Sequence, residues 1–133
     1  MKDMLPTNVL ASAVATRGLC ADVLRTVLAG HELVVCPHII PELQRFPRDK
    51  FALPRQLVNA FIRFVREDSI HCKPGNLPAI KLKDKDDLGI LSAAVGGRVD
   101  VIVTADKEMQ MVGRVAELKI MSPRQFWKEL TKR

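Results

Sequence analysis

The run Val99 to Thr104, VDVIVT, decides how the rest of the chain is read. Val99, Val101, Ile102 and Val103 are apolar and β-branched, and the run is short and nearly unbroken. That is the pattern of a parallel strand buried on both faces. Parallel strands need crossover connections, usually helices, so helical segments are expected on both sides. Upstream, DDLGILSAAVGG (86–97) fits. A helix starting at Asp86 or Asp87 would present Gly89, Ser92, Ala93 and Ala94, small enough to lie close to a sheet. Gly96 and Gly97 would end it. Downstream, DKEMQMV (106–112) reads as a short helical turn.

The same alternation extends to both ends of the chain. Met4 to Leu10 reads as a short strand, with Pro6 at the point where pairing stops, because proline cannot donate to a ladder. Leu19, Val23, Leu24, Val27 and Leu28 have helical spacing, closed by Gly30 as a C-cap. ELVVC (32–36) is a buried strand, and PHIIPELQRF (37–46) a helix with Pro37 in its first turn. Residues 51–67 form a helix whose apolar stripe is Leu57, Val58, Phe61, Ile62 and Val65, with Arg63 and Arg66 outside it. SIHC (69–72) is a strand and KPGNLPAIKLK (73–83) a loop. LKIM (118–121) is the last strand. Ser122 caps a terminal helix, with Pro123 at its first position. The expected fold class is therefore α/β: one domain over residues 1–133, a three-layer α/β/α sandwich around a central parallel sheet.

Composition narrows the partners. No apolar run reaches the roughly 18 residues of a membrane span, and the N-terminus lacks the layout of a secretory signal. A cytoplasmic protein with no membrane partner is expected. Cys20, Cys36 and Cys72 are an odd number without a paired spacing, and they read as reduced core thiols. A zinc site from Cys36, His38, His71 and Cys72 is the weaker reading of the same residues. The formal net charge is +6, with Arg45, Arg48, Lys50, Arg55, Arg63 and Arg66 concentrated in one segment. Lys81, Lys83 and Lys85 surround an acidic cluster. A polyanion such as RNA is favoured. Aromatic residues are 5 % with no tyrosine, which favours backbone contact over base stacking.

In parallel sheets, sites gather outside the C-terminal ends of the strands. Glu42, Asp84, Asp86, Asp87 and Asp106 fall at strand ends or helix starts and are far apart in sequence. Converging carboxylates repel unless a cation lies between them, and oxygen-only ligands suit Mg2+ or Mn2+. Helix capping explains each acid singly. Both readings stand on the residues alone.

The stretches LPTNVLASA (5–13), CPHIIPELQRF (36–46), KDKDDLGILSAA (83–94) and VIVTADKEM (101–109) resemble the four motifs of PIN domains. The closest likeness is to the members regarded as toxin components of toxin–antitoxin pairs. The resemblance implies a metal-dependent ribonuclease of single-stranded RNA, with carboxylates holding Mg2+ or Mn2+. Glu42, Asp87 and Asp106 match the acids of the second, third and fourth motifs. Thr104 matches the hydroxyl that accompanies the fourth, Asn8 the polar residue of the first, and Asp84 and Asp86 lie where auxiliary ligands would. The implied partners are single-stranded RNA, a protein antitoxin and, with Leu57, Phe61 and Phe64 as an apolar surface, a second copy of the chain.

One departure stands out. The family pattern reads Asp-Thr-Asn where this chain has Pro6-Thr7-Asn8. Asp3 is a poor substitute: it lies three residues back, about 10 Å along a strand, and the odd offset turns it to the other face. Loss of one anionic ligand predicts weakened metal binding. The outcome is then either a slow nuclease or a catalytically impaired pseudo-nuclease that binds RNA or an antitoxin.

Overall fold

The structure is a computed structural model that describes residues 1–50, 54–73, 82 and 85–132, the side chains of residues 46–50 and 85–86 apart. In chain order the elements are β1 (Lys2–Met4), α1 (Thr7–Ala15), α2 (Leu19–Gly30), β2 (Glu32–Val35), α3 (Ile39–Lys50), α4 (Arg55–Asp68), β3 (Ile70–His71), α5 (Lys85–Gly96), β4 (Val101–Val103), α6 (Lys107–Val112), β5 (Arg114–Val115), β6 (Leu118–Met121) and α7 (Pro123–Thr131).

The strands form one sheet in the order β3-β2-β1-β4-β6-β5. Every pairing is parallel except β5 with β6. Val101 pairs with both Asp3 and Lys119, so β4 lies inside the sheet, as its apolar run requires. Strand alternation sends successive residues to opposite faces, and two apolar clusters result. Leu5, Leu33, Val35, Val101 and Val103 meet α1, α2, α3, α4 and α7 on one face. Met4, Val34, Cys36, Ile102 and Ile120 meet α5 and α6 on the other. This is the expected α/β sandwich, with helices on both sides of a mostly parallel sheet.

Several boundaries differ from the sequence reading. Residues 4–10 are not a strand: β1 ends at Met4 and α1 begins at Thr7. Leu5 still donates to the Val34 carbonyl, and Pro6 comes immediately after that last ladder bond. The apolar residues Val9 and Leu10 that suggested a strand are buried on a helix instead. Gly30 is the last residue of α2, without a left-handed conformation; His31 is the C-cap. Pro37 precedes α3 rather than opening it, because His38 takes a φ of 63° and only Ile39 onward is helical. Pro41 then lies in the first turn, where its missing N–H has no intrahelical partner to lose. The helix expected over 51–67 begins at Arg55, and residues 51–53 lie outside the description. Most of the loop expected over 73–83 lies outside it as well. The hairpin of β5 and β6 was not foreseen, since two residues carry no periodicity.

The cap of α7 is as expected. Ser122 Oγ accepts from the Gln125 amide, Gln125 Oε1 accepts from the Ser122 amide, and Pro123 opens the helix. Phe64 is half-buried, stacks on Phe61 with centroids 6.1 Å apart and packs against the first cluster. No described helix is long and apolar enough to cross a membrane.

Candidate active site at the strand ends

β2, β1 and β4 are adjacent and parallel, so their C-terminal ends share one edge of the sheet. Each runs into a helix. β1 leads through Leu5 and Pro6 to α1, β2 through Cys36 to His38 into α3, and β4 through Thr104 to Asp106 into α6. The helix α5 leads into the start of β4, so its own N-terminus with Asp87 is at the same edge. Thr7, Asn8, Glu42, Asp87, Thr104 and Asp106 are thus gathered there by topology, and Asp84 lies outside the described residues.

Side-chain contacts join the first two motifs. The Thr7 hydroxyl donates to Glu42 Oε1 at 3.0 Å, across a sequence separation of 35 residues. Glu42 is in the first turn of α3, where the partial positive charge of the helix end favours a carboxylate. Thr7 is a site residue that the sequence does not single out, because no local pattern reports a contact over that separation.

The fourth motif is braced from three sides. Asp106 is the N-cap of α6, and its Oδ1 accepts from the Glu108 amide at 2.8 Å and the Met109 amide at 3.3 Å. Thr104 is buried, and its hydroxyl accepts from the Asp106 amide at 3.1 Å. The Gln110 amide group donates to the Thr104 carbonyl at 2.7 Å. The capping reading of Asp106 is therefore correct, whatever else its second oxygen does. Asp87 is buried, as the third residue of α5 rather than its cap.

The first motif is the weak member. Pro6 is the N-cap of α1, with φ −66° and ψ 169° and no side-chain cap bond. Its carbonyl accepts from the Val9 and Leu10 amides. One residue into the helix, Asn8 Oδ1 is buried without a hydrogen-bond partner. Asp3 is fully buried on β1 and faces away from this edge. Its Oδ2 is 2.5 Å from His31 Nδ1, and its Oδ1 has no partner. Burial raises the Asp3 pKa above its ordinary value, against the opposing hydrogen bond and charge of His31.

The thiols are core residues. Cys20, Cys36 and Cys72 are free, and the latter two are buried in the second cluster. Burial pushes the Cys36 thiol up to about 12, and the neighbouring Glu42 carboxylate adds to the effect. Among the described residues no group of three or more His, Cys, Asp or Glu could hold a metal ion, so the weaker zinc reading gains no support.

The sequence model of the PIN domain family matches residues 3–108. The chain belongs to the PIN domain family. The match spans β1 to the start of α6 and so takes in all four motif segments; β5, β6 and α7 lie beyond it. No curated protein matches the chain. Family membership points to nuclease-type activity, and PIN domains in general depend on a divalent metal.

The donors such an ion would meet can be named one by one. The carboxylate oxygens of Glu42, Asp87 and Asp106 are the hard donors that Mg2+ or Mn2+ prefers. Yet no group of three or more His, Cys, Asp or Glu among the described residues is placed to hold a metal ion. Glu42 is tied to Thr7, Asp106 Oδ1 is held by two amides, and a proline stands where the family has its first aspartate.

Proposed function

We propose that the chain is an attenuated PIN-type ribonuclease acting on single-stranded RNA, the toxin-like member of a toxin–antitoxin pair in the cytoplasm. The observation that carries this is the family match over residues 3–108, in a fold that brings Thr7, Glu42, Asp87, Thr104 and Asp106 to one sheet edge. Arg45, Arg55, Arg63 and Arg66 are exposed on α3 and α4, and they supply the cationic surface an RNA backbone needs. The weak point is local. Pro6 removes an anionic ligand and leaves Asn8 Oδ1 as a neutral donor beside the gap.

The roles of the chain's own groups follow from the geometry. Thr7 holds Glu42 at the sheet edge. Thr104 and Gln110 fix the turn that presents Asp106. Asp106 orders the first turn of α6. Mg2+ or Mn2+, when bound, would supply charge for the phosphodiester, and Glu42, Asp87 and Asp106 are the groups offered to it.

The test is cleavage of a labelled single-stranded RNA in Mn2+ by the wild-type chain and by Pro6→Asp. The expected result is slow cleavage by the wild type and about 10- to 100-fold faster cleavage by Pro6→Asp, the scale on which metal-site losses operate. Absence of cleavage by both proteins overturns the ribonuclease reading. A second reading, a pseudo-nuclease that only binds RNA or a basic antitoxin segment, is favoured by Pro6, which stands without a side-chain acceptor where the family pattern has an aspartate. It predicts RNA binding without cleavage in both proteins. The dimer expectation stays as a proposal resting on Leu57, which is 45 % exposed on α4.

A further inference from the structure

Away from the strand ends, α3 and α4 enclose an open groove of about 430 Å³ lined by Gln44, Asn59, Ile62, Arg63, Arg66 and Glu67. Asn59, Arg63 and Arg66 follow a helical spacing of four and three, which places them along one side of α4. They cover about 10 Å of the helix axis. Ile62 is buried and forms an apolar floor. Among the described residues neither Arg63 nor Arg66 is in an ion pair, although Glu67 lines the same groove.

Two unpaired guanidinium groups with two carboxamides are suited to phosphodiester oxygens. Guanidinium binds phosphate through two parallel N–H donors, and Gln44 and Asn59 add neutral donors. Among the described residues the lining offers guanidinium and carboxamide groups and no aromatic ring, which favours backbone contact over base stacking. The groove also shares a helix with the candidate site, since Gln44 is two residues after Glu42 on α3.

We propose that the α3–α4 groove is a phosphate-backbone subsite for single-stranded RNA, with Arg63 and Arg66 as its anionic-ligand contacts. This rests on the ribonuclease reading above and names a surface for the same substrate. The groove binds without regard to sequence, and it holds the strand beside the strand-end carboxylates rather than acting on it.

The experiment measures binding of a fluorescein-labelled oligouridylate by anisotropy over a salt series. It uses the wild type, the double variant Arg63→Gln/Arg66→Gln, and a charge-matched control, Arg124→Gln/Lys128→Gln, on the exposed face of α7. Melting curves check that each protein is folded. Each lost phosphate contact on a single strand lowers the slope of log K against log salt by about 0.7. The α4 variant is therefore expected to lose about 1.4 in slope, and about 10-fold in low-salt affinity, with the control close to wild type. Equal losses in both variants, or none in the α4 variant while the wild type binds, overturn the groove assignment and leave the ribonuclease reading standing. Failure of the wild type itself to bind overturns both. A folded α4 variant that loses RNA but keeps the control's melting temperature supports the assignment.

Discussion

β1 and β4 are neighbours in the sheet, and each ends in a short turn that becomes a helix. The two junctions solve the same problem in opposite ways. After β4, Asp106 caps α6 with its carboxylate on two amides, and Thr104 and Gln110 hold the turn in place. After β1, Pro6 stands at the corresponding cap position of α1, with extended backbone angles and no side-chain acceptor. Proline is tolerated there because the ladder has already ended and its own N–H would have no partner. The ladder ends and a helix begins at both junctions, although only Asp106 gives first-turn amides a side-chain acceptor. What differs is charge. The fold needs a helix start at each position but not a carboxylate, so a substitution that the structure accepts can still remove a chemical group.

The largest test of this comparison restores the missing acid. Pro6→Asp is expected to raise Mn2+ affinity about 10- to 100-fold, read as a melting temperature that climbs with millimolar Mn2+ far more than that of the wild type. Binding to the native state alone raises stability with the logarithm of ligand concentration. Equal responses in both proteins would mean that the first position is not part of the cation site.

The next test removes the surviving cap. Asp106→Ala should lower stability by about 1–2 kcal/mol in urea denaturation, because two amides at the start of α6 lose their acceptor. A change near zero would show that the turn is held by Thr104 and Gln110 alone. Thr7→Val probes the tether between the first and second motifs. Its expected cost is about 1 kcal/mol, with a larger effect on RNA cleavage by the Pro6→Asp protein, where the position of Glu42 matters. A stability loss with no change in cleavage would separate the two roles.

The smallest effect concerns the carboxylate that β1 does possess. Asp3 is buried and its pKa in the folded chain is raised above 3.8, chiefly by desolvation. Between the unfolded and folded values the native state holds more protons, so this group's contribution is fully present below 3.8 and is lost as pH rises through the folded value. Asp3→Asn should flatten that part of the pH–stability curve. An unchanged curve would assign the dependence to other groups.

How much of this the sequence displayed depends on the kind of signal. The β4 run and the terminal capping box were legible because buried parallel strands and Ser-Pro helix starts are strong local patterns. The parallel order that sends the ends of β2, β1 and β4 to one edge was legible from the alternation of strands and helices. The end of β1 was misjudged: Val9 and Leu10 are apolar in both a strand and a helix, and Pro6 suits the end of one and the start of the other. The Thr7–Glu42 bond was invisible because no local pattern reports a contact across 35 residues. The β5–β6 hairpin was missed because a two-residue strand is too short to show alternation.

The sheet's outermost strands, β3 and β5, are each two residues long. A strand that short exposes few unpaired backbone groups for a foreign chain to extend, and very short edge strands are a known protection against edge-to-edge aggregation. Of the inner strands, β2 and β4, with Val34, Val35, Val101, Ile102 and Val103, are the segments most prone to such pairing. Their shielding by two minimal edges should let the folded chain stay dispersed at high concentration, whether or not its carboxylates bind a cation.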